Sequence, residues 1–155
     1  MVSNELKIGN LKIGENYPAL IVPEIGINHN GNLDVAIKMV DAAKKSGAKI
    51  IKHQTHIPED EMSVEAKKVK PGNSKKNIFS IIKDCSLSEE DEFKLFKYVK
   101  SKKMVFISTP FSKKAVDRLI KFGINAFKIG SGEFNNVPLL QYITKFKKPL
   151  IPSFS

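Results

Sequence analysis

The chain has no tryptophan, one cysteine, one arginine and three histidines among 155 residues. A lone Cys85 excludes an internal disulfide, which fits a reducing cytoplasm. Cys85 lies in Ile82-Lys-Asp-Cys-Ser86 with no base beside it and reads as packing rather than as a nucleophile. No apolar run approaches the roughly 18 residues a membrane span needs, and Met1 to Asn10 has no signal-peptide core. No pair of histidines shows metal-ligand spacing with a third ligand, so no metal site is assigned. Arginine, which specific nucleic-acid readers favour together with aromatic stacking surfaces, occurs once, at Arg118. The net charge of +10 comes instead from lysines, many in scattered pairs such as Lys44-Lys45, Lys67-Lys68 and Lys113-Lys114. Those pairs read as solvated surface, so neither nucleic acid nor membrane is an expected partner.

What is present is an alternation of strand and helix patterns. Ala19–Pro23, Lys49–Gln54, Met104–Ser108, Ala126–Ile129 and Pro149–Ser153 are β-prone. Between them, the apolar stripe of Leu33–Ser46 ends at Gly47, and Ser88–Lys102 opens on the capping-box run Ser88-Glu-Glu-Asp. Lys113–Phe122 (stopped by Gly123) and Val137–Thr144 are also helical, with a short helix expected near Asn77–Lys83. Such alternation predicts an α/β fold with a parallel sheet. Roughly 30 residues per unit predicts the first five or so units of a (β/α)8 TIM barrel. A doubly wound sheet is the alternative, but Gly26 and Gly31 are too far apart for a dinucleotide fingerprint. Leu6 to Gly14 alternates around Gly9-Asn10 and predicts a β-hairpin at the bottom of the barrel. The organisation expected is therefore a hairpin unit over residues 1–17 and an incomplete barrel over 18–155.

Strand alternation then locates polar residues. Leu20, Val22 and Glu24 share one face of the first strand; Ala48, Ile50, Lys52 and Gln54 share one of the second. Val105, Ile107 and Thr109 follow on the third, Ala126 and Lys128 on the fourth, Ile151 and Ser153 on the fifth. Each inner face is apolar at its start and polar at its end. Unpaired buried charges cost several kcal/mol, so Glu24, Lys52 and Lys128 need partners or a ligand. An internal salt bridge serving only the fold would satisfy one such charge. A polar residue at every strand end points instead to a site at the C-terminal mouth, where this architecture places its chemistry. Phe127-Lys-Ile-Gly-Ser-Gly-Glu133 adds a lysine followed by a glycine turn, the elements of an anion cradle. His29, in the turn Asn28-His-Asn-Gly31, is either a cap-region residue or a hydrogen-bonding site residue. His53 alternates outward and reads as packing, and His56 counts inward but lies beyond the strand.

Glu24-Ile-Gly-Ile-Asn-His-Asn-Gly31, Lys52-His-Gln-Thr-His56, Glu59-Asp-Glu-Met62, Pro71-Gly-Asn73, Ser108-Thr-Pro-Phe-Ser112 and Phe127-Lys-Ile-Gly-Ser-Gly-Glu133 occur in this order between Leu20 and Ile151. This set resembles the bacterial N-acetylneuraminate (sialic acid) synthases. The Lys-His-Gln-Thr-His form with Glu-Asp-Glu-Met is more like that branch than the related legionaminate and pseudaminate synthases. The resemblance implies a cytoplasmic enzyme joining phosphoenolpyruvate to N-acetylmannosamine, an N-acetylated hexosamine, in sialic acid biosynthesis, with release of phosphate. It implies a divalent metal, Mn²⁺ or Mg²⁺, and homodimers in the full-length family. Carried over by motif, Glu24, Lys52 and Lys128 would be catalytic. Lys52, Thr109, Lys128, Ser131 and Ser153 would bind phosphoenolpyruvate, Gln54 and Asn73 the sugar, and Glu133 would be a supporting carboxylate.

The end of the chain departs from that pattern. The family continues Ser-Thr-Gly-Met into three more strands and a small antifreeze-protein-like domain, whereas here Pro152-Ser-Phe-Ser155 closes the sequence. The resemblance places the metal-binding histidines in those later strands, so this chain is expected to be a truncated form without metal or activity alone. A non-catalytic fragment pairing with a complementary half is the rival expectation.

Overall fold

The computed structural model describes residues 5–72 and 74–153. Strands β1 (Leu6–Ile8) and β2 (Leu11–Ile13) pair antiparallel as the expected hairpin, turning at Gly9 with φ of +60°. Strands β3 (Glu24–Gly26), β4 (Ile50–Thr55), β5 (Val105–Pro110), β6 (Phe127–Ile129) and β7 (Leu150–Pro152) form a second sheet. All five are parallel and lie in sequence order, the arc of a barrel, with none of the reversal of strand order that marks a doubly wound sheet.

Helices α1 (Leu33–Lys45), α3 (Ile78–Cys85), α4 (Glu89–Ser101), α5 (Lys113–Phe122) and α6 (Val137–Thr144) fall close to the spans expected, and α2 (Pro58–Glu61) precedes α3. Their starts follow from local chemistry. The side chains of Asn32, Asn77, Ser88, Ser112 and Asn136 accept hydrogen bonds from backbone N–H groups of the first turns of α1, α3, α4, α5 and α6. None of the helices described is long and apolar enough to cross a membrane.

The sheet buries apolar side chains on both faces. Toward the helices, Ile25, Ile51, Phe106, Phe127 and Ile129 join Val40, Leu95, Phe96, Val99, Val116 and Leu119. On the inner face, Ile50, Val105, Ile107 and Ala126 pack under Ile8 of the hairpin, with Leu11, Ile13, Leu20 and Ile151 around them. The hairpin thus plugs the N-terminal end of the arc, and the opposite end is left to polar residues.

The first strand differs from the sequence reading. Its paired part is Glu24–Gly26, not Ala19–Pro23, and Ile21 is 73% exposed. Pro18 and Pro23 bring no N–H to a ladder, and the carbonyl of Pro23 is reached only by the Lys52 N–H at 2.9 Å. Ala48 also belongs to the helix-side cluster rather than to the inner face.

A chain of buried polar groups crosses the helix side of the sheet. Gly31 N–H donates to His29 Nδ1 (3.2 Å), and the two Nε2 atoms of His29 and His53 lie 3.2 Å apart. His53 Nδ1 is 3.2 Å from Glu92 Oε1, while Arg118 Nη1 donates to Glu92 Oε2 at 3.0 Å and Thr55 Oγ1 donates to Oε1. One proton placement satisfies the chain: His29 donates from Nε2 to His53, and His53 donates from Nδ1 to Glu92. Burial, with His53 beside it, lowers the His29 pKa from 6.5 to about 4. Burial alone would raise the Glu92 carboxyl, but hydrogen bonds from His53, Thr55 and Arg118 outweigh it and hold the carboxyl below its usual value. At Gly31, φ is +71° and an added Cβ would meet the Asp84 carbonyl oxygen at 2.4 Å. The Gly31 N–H also donates toward Cys85 C=O at 3.1 Å, so this turn docks directly on the end of α3.

Two outcomes follow from these contacts. Between pH 6.5 and about 4 an unfolded His29 takes up a proton that the folded one does not, so stability falls as pH falls through that window. The loss expected is roughly 3 kcal/mol. Urea unfolding midpoints measured across the window should show it, with a shallower slope in His29→Gln; a midpoint independent of pH would remove the argument. Gly31→Ala should destabilise by roughly 2–4 kcal/mol in the same measurement, because no side chain fits against Asp84.

Candidate active site at the strand ends

The register of the sheet sets the site. Glu24 of β3 stands opposite Lys52 of β4, and Lys52 Nζ donates to Glu24 Oε1. Lys52 is only 9% exposed, while the Glu24 side chain remains 46% open to solvent. Two strands away, Lys128 Nζ donates to Ser153 Oγ and to the Ile129 carbonyl (2.7 Å), which also accepts the Ser153 N–H at 3.0 Å. Burial lowers the Lys128 pKa below the usual lysine value, the nearby Lys52 ammonium lowers it further, and Glu24 pulls it back in part. Two ammonium groups thus share one carboxylate, and the local balance is positive.

Thr109 stands opposite Gln54 between these pairs. It is 1% exposed, and its hydroxyl has no hydrogen-bond partner among the described residues. A buried hydroxyl left unpaired costs on the order of 1–3 kcal/mol, which a ligand oxygen would recover. The backbone at Gly130 passes close by: a Cβ there would lie 3.6 Å from Thr109 Cγ2. Gly26, with φ of +50°, sits where a Cβ would meet Glu24 Oε1 at 3.3 Å and Gln54 Oε1 at 3.4 Å. Glu24, Lys52, Gln54, Thr109, Lys128 and Ser153 therefore line one mouth, the grouping that strand alternation predicts.

Ser131 and Glu133 lie further out. Ser131 opens a single turn of 3-10 helix (Ser131–Glu133) and is exposed, with no side-chain bond to either lysine. The Glu133 Oε2 accepts from Asn136 Nδ2 at 2.7 Å. Asn73 lies outside the described residues.

Above this layer is a rim that the sequence reading left unassigned. Along β4 and β5 the inner face runs Ile50/Val105, Lys52/Ile107 and Gln54/Thr109. The next pair by alternation is His56 and Phe111, whose rings stack at 4.1 Å between centroids, 11° from parallel. His56 Nδ1 is 2.8 Å from Glu61 Oε1, and Glu61 Oε2 accepts the Ile57 N–H at 3.1 Å. His56, Glu61 and Phe111, with Met62, Ile78, Ile82 and Glu133, line a cavity of about 230 Å³. Glu92 was also missed, although its spacing to Leu95, Phe96 and Val99 puts a carboxylate on the buried stripe of α4. That position was the signal that His53, 1% exposed, has a charged partner rather than mere packing. Among the described residues, no group of three or more His, Cys, Asp or Glu could hold a metal ion.

Known proteins share this fold. The chain is 38% identical over 152 residues to the N,N'-diacetyllegionaminic acid synthase of Legionella pneumophila, covering 95% of this chain and 43% of that protein. The crystal structure of spore coat polysaccharide biosynthesis protein SpsE from Bacillus subtilis superposes with a TM-score of 0.75 at 32% identity, over 97% of this chain and 40% of that one. The N-acetylneuraminic acid (sialic acid) synthetase from Leptospira borgpetersenii superposes with a TM-score of 0.75 at 25% identity, over 96% of this chain and 57% of that one. The chain thus spans about two fifths of the length of the curated relatives it matches. The NeuB family model matches residues 39–154, a span that holds Lys52, Gln54, Thr109, Lys128 and Ser153 on an arc with the family's architecture, and the chain belongs to the NeuB family.

Proposed function

We propose that these residues form the phosphoenolpyruvate side of a synthase that joins phosphoenolpyruvate to an N-acylated hexosamine, N-acetylmannosamine in the reading favoured here, giving N-acetylneuraminate and phosphate. The observation that carries this is the pairing of two inward lysines with a buried, unpartnered Thr109 hydroxyl at the strand ends. A trianionic enol phosphate supplies both the negative charge and the acceptor oxygens that this surface lacks. Relatives named for sialic, legionaminic and pseudaminic acids make a related nonulosonic acid the alternative product.

In the proposed reaction Lys52, Lys128, Thr109 and Ser153 hold phosphate and carboxylate oxygens, with Ser131 on the glycine turn completing the cradle. Gln54 and Asn73 contact the sugar. The C3 carbon of the enol phosphate attacks the open-chain sugar aldehyde, and positive charge develops at C2. Water adds at C2, and the tetrahedral intermediate breaks its C–O bond to expel phosphate. Glu24, at 46% side-chain exposure, would stabilise that cation or move the proton of the entering water. Glu133 is a supporting carboxylate. A Mn²⁺ or Mg²⁺ ion is proposed to serve the whole enzyme, with ligands from outside these 155 residues. The expected behaviour of these 155 residues alone is binding without turnover, in a cytoplasmic setting.

Calorimetric titration with phosphoenolpyruvate tests the anion site. Lys52→Met or Lys128→Met should weaken binding by roughly 10- to 100-fold, and Thr109→Val by about tenfold, the scale of a hydrogen bond to a charged group. Equal affinity in all three variants would overturn the assignment. Because the Lys128 pKa is lowered in the free protein, a bound anion should raise it and draw in a fraction of a proton. Affinity should therefore decline as pH rises through the Lys128 titration. Heats compared in two buffers of different ionisation enthalpy should show that uptake, and Lys128→Met should abolish it. Phosphate release assayed with phosphoenolpyruvate, N-acetylmannosamine and Mn²⁺ should be absent for this chain; robust turnover would refute binding without turnover.

A further inference from the structure

We infer that Glu92, buried on α4 behind the sheet, is a positioning residue for the anion site: through Thr55 and Ser108 it fixes the ends of β4 and β5, and with them Gln54 and Thr109 at the mouth. The inference rests on the synthase reading for the ligand those residues meet, and on geometry for the tie itself.

The residues of the tie interleave with those of the mouth. On β4, His53 and Thr55 face the helices while Lys52 and Gln54 face inward; on β5, Ser108 and Thr109 divide in the same way. A carboxylate can only accept, so the Thr55 hydroxyl donates to Glu92 Oε1. That leaves the Thr55 oxygen as acceptor of the 2.7 Å bond with Ser108 Oγ, and Ser108 as its donor. The same Glu92 oxygen lies 3.2 Å from His53 Nδ1. One buried carboxylate therefore orders three side chains on two strands.

The tie sits where β5 needs it. This strand pairs in register with β4 from Val105 to Pro110, but with β6 at Ser108 opposite Phe127. Pro110, opposite Thr55, brings no N–H to the ladder. Past Ser108 the alignment of β5 thus falls to β4 and to the Ser108–Thr55–Glu92 bonds. Thr109 comes next, and its own hydroxyl has no partner among the described residues to hold it.

Glu92 is itself held from outside. The chain's one arginine, Arg118 of α5, donates from Nη1 to Glu92 Oε2 at 3.0 Å and brings Nε to 3.6 Å from Glu89 Oε2. A planar guanidinium sets the direction of a carboxylate, which the ammonium of a lysine does not. Apolar side chains of similar volume would supply cohesion here as well or better. They would supply no direction, and direction is what the placing of Thr109 requires.

The test uses the whole 155-residue chain. It holds three threonines, Thr55, Thr109 and Thr144, so threonine-methyl labelling gives three NMR signals, with Thr144 on α6 as internal reference. Thr55→Val keeps the branched shape and strand preference but removes the hydroxyl, whereas Thr55→Ser keeps the hydroxyl and loses the branch. Thr55→Val and Glu92→Gln should shift the Thr109 methyl and lower its order, leaving Thr144 in place. Thr55→Ser should leave both as in the wild type. In calorimetric titration, Thr55→Val should weaken phosphoenolpyruvate binding about tenfold and Thr55→Ser should not. Thr109→Val should then cost little more in the Thr55→Val background, because the two changes act on one placement. A group serving cohesion alone would lower the urea midpoint and move neither readout. An unchanged Thr109 methyl in Thr55→Val overturns the inference, even where Glu92→Gln does not fold. So does a displaced methyl with unchanged phosphoenolpyruvate affinity, or a Thr55→Ser chain as impaired as Thr55→Val. If the methyl responds but the wild-type chain binds no phosphoenolpyruvate, the tie stands and the anion-site reading alone fails.

Discussion

An ammonium group held out of water needs a counter-charge within reach, and the Lys52–Glu24 pair is the place where the arc meets that requirement. Lys52 sits in the middle of a six-residue strand whose flanking residues Ile51 and His53 face the helices. It cannot turn away without dragging that strand out of register with β5. Glu24 is the first residue of its own short strand, and its position opposite Lys52 fixes where β3 starts to pair. The irregularity between Glu24 and Gly26 follows from the same demand. The strand must deliver a carboxylate inward, then bend through a positive φ at Gly26 so that Gln54 and Glu24 can flank the backbone.

The two faces of the sheet divide the labour. The inner face is apolar only at its base, where Ile8 of the hairpin closes over Ile50, Val105, Ile107 and Ala126. A hydrocarbon plug at that end supplies cohesion without occupying the mouth, so the polar ends of the strands are spared a packing role. The outer face carries the larger core and, within it, the His29–His53–Glu92–Arg118 chain. A buried network of this kind is strong when complete and costly when one member is lost. It ties the turn after β3 to α4 and α5, and hence holds the strand that bears Glu24 from behind.

Much of this was legible in the sequence. Period-two alternation put Lys52, Gln54, Thr109, Lys128 and Ser153 on one face, and a six-residue strand such as β4 leaves no freedom to do otherwise. Capping residues and glycine stops located α1, α4 and α5 to within a residue or so, because caps act locally. What escaped was decided by non-local contacts. Ala19–Pro23 has the composition of a strand, but pairing needs donors that the prolines bounding it, Pro18 and Pro23, lack. His53 does face the helices as alternation requires. Its partners, His29 and Glu92, lie 24 and 39 positions away in the numbering and are brought together only by the stacking of α4 on the sheet. His56 and Glu61 could be seen as neighbours only once the Pro58–Glu61 turn was known to be helical, which brings the carboxylate back over the end of β4.

The proposed chemistry places a conflict on Glu24 that its surroundings are suited to resolve. While the site is empty, this carboxylate neutralises Lys52. A trianion held by Lys52 and Lys128 takes over that neutralising role and repels the carboxylate beside it. Coulomb repulsion between like charges a few ångströms apart, in a partly screened mouth, is worth several kcal/mol. Glu24 relieves it by rotating toward the solvent that already reaches nearly half of its side chain. After attack removes electron density from C2, the same group as a carboxylate faces a cation instead of an anion, and the interaction changes from repulsive to attractive. A residue that is destabilised by the bound substrate and stabilised by the developing charge lowers the barrier between them. On this view, the carboxylate that orders the arc through Lys52 and the group that assists the reaction are one side chain facing two different charges.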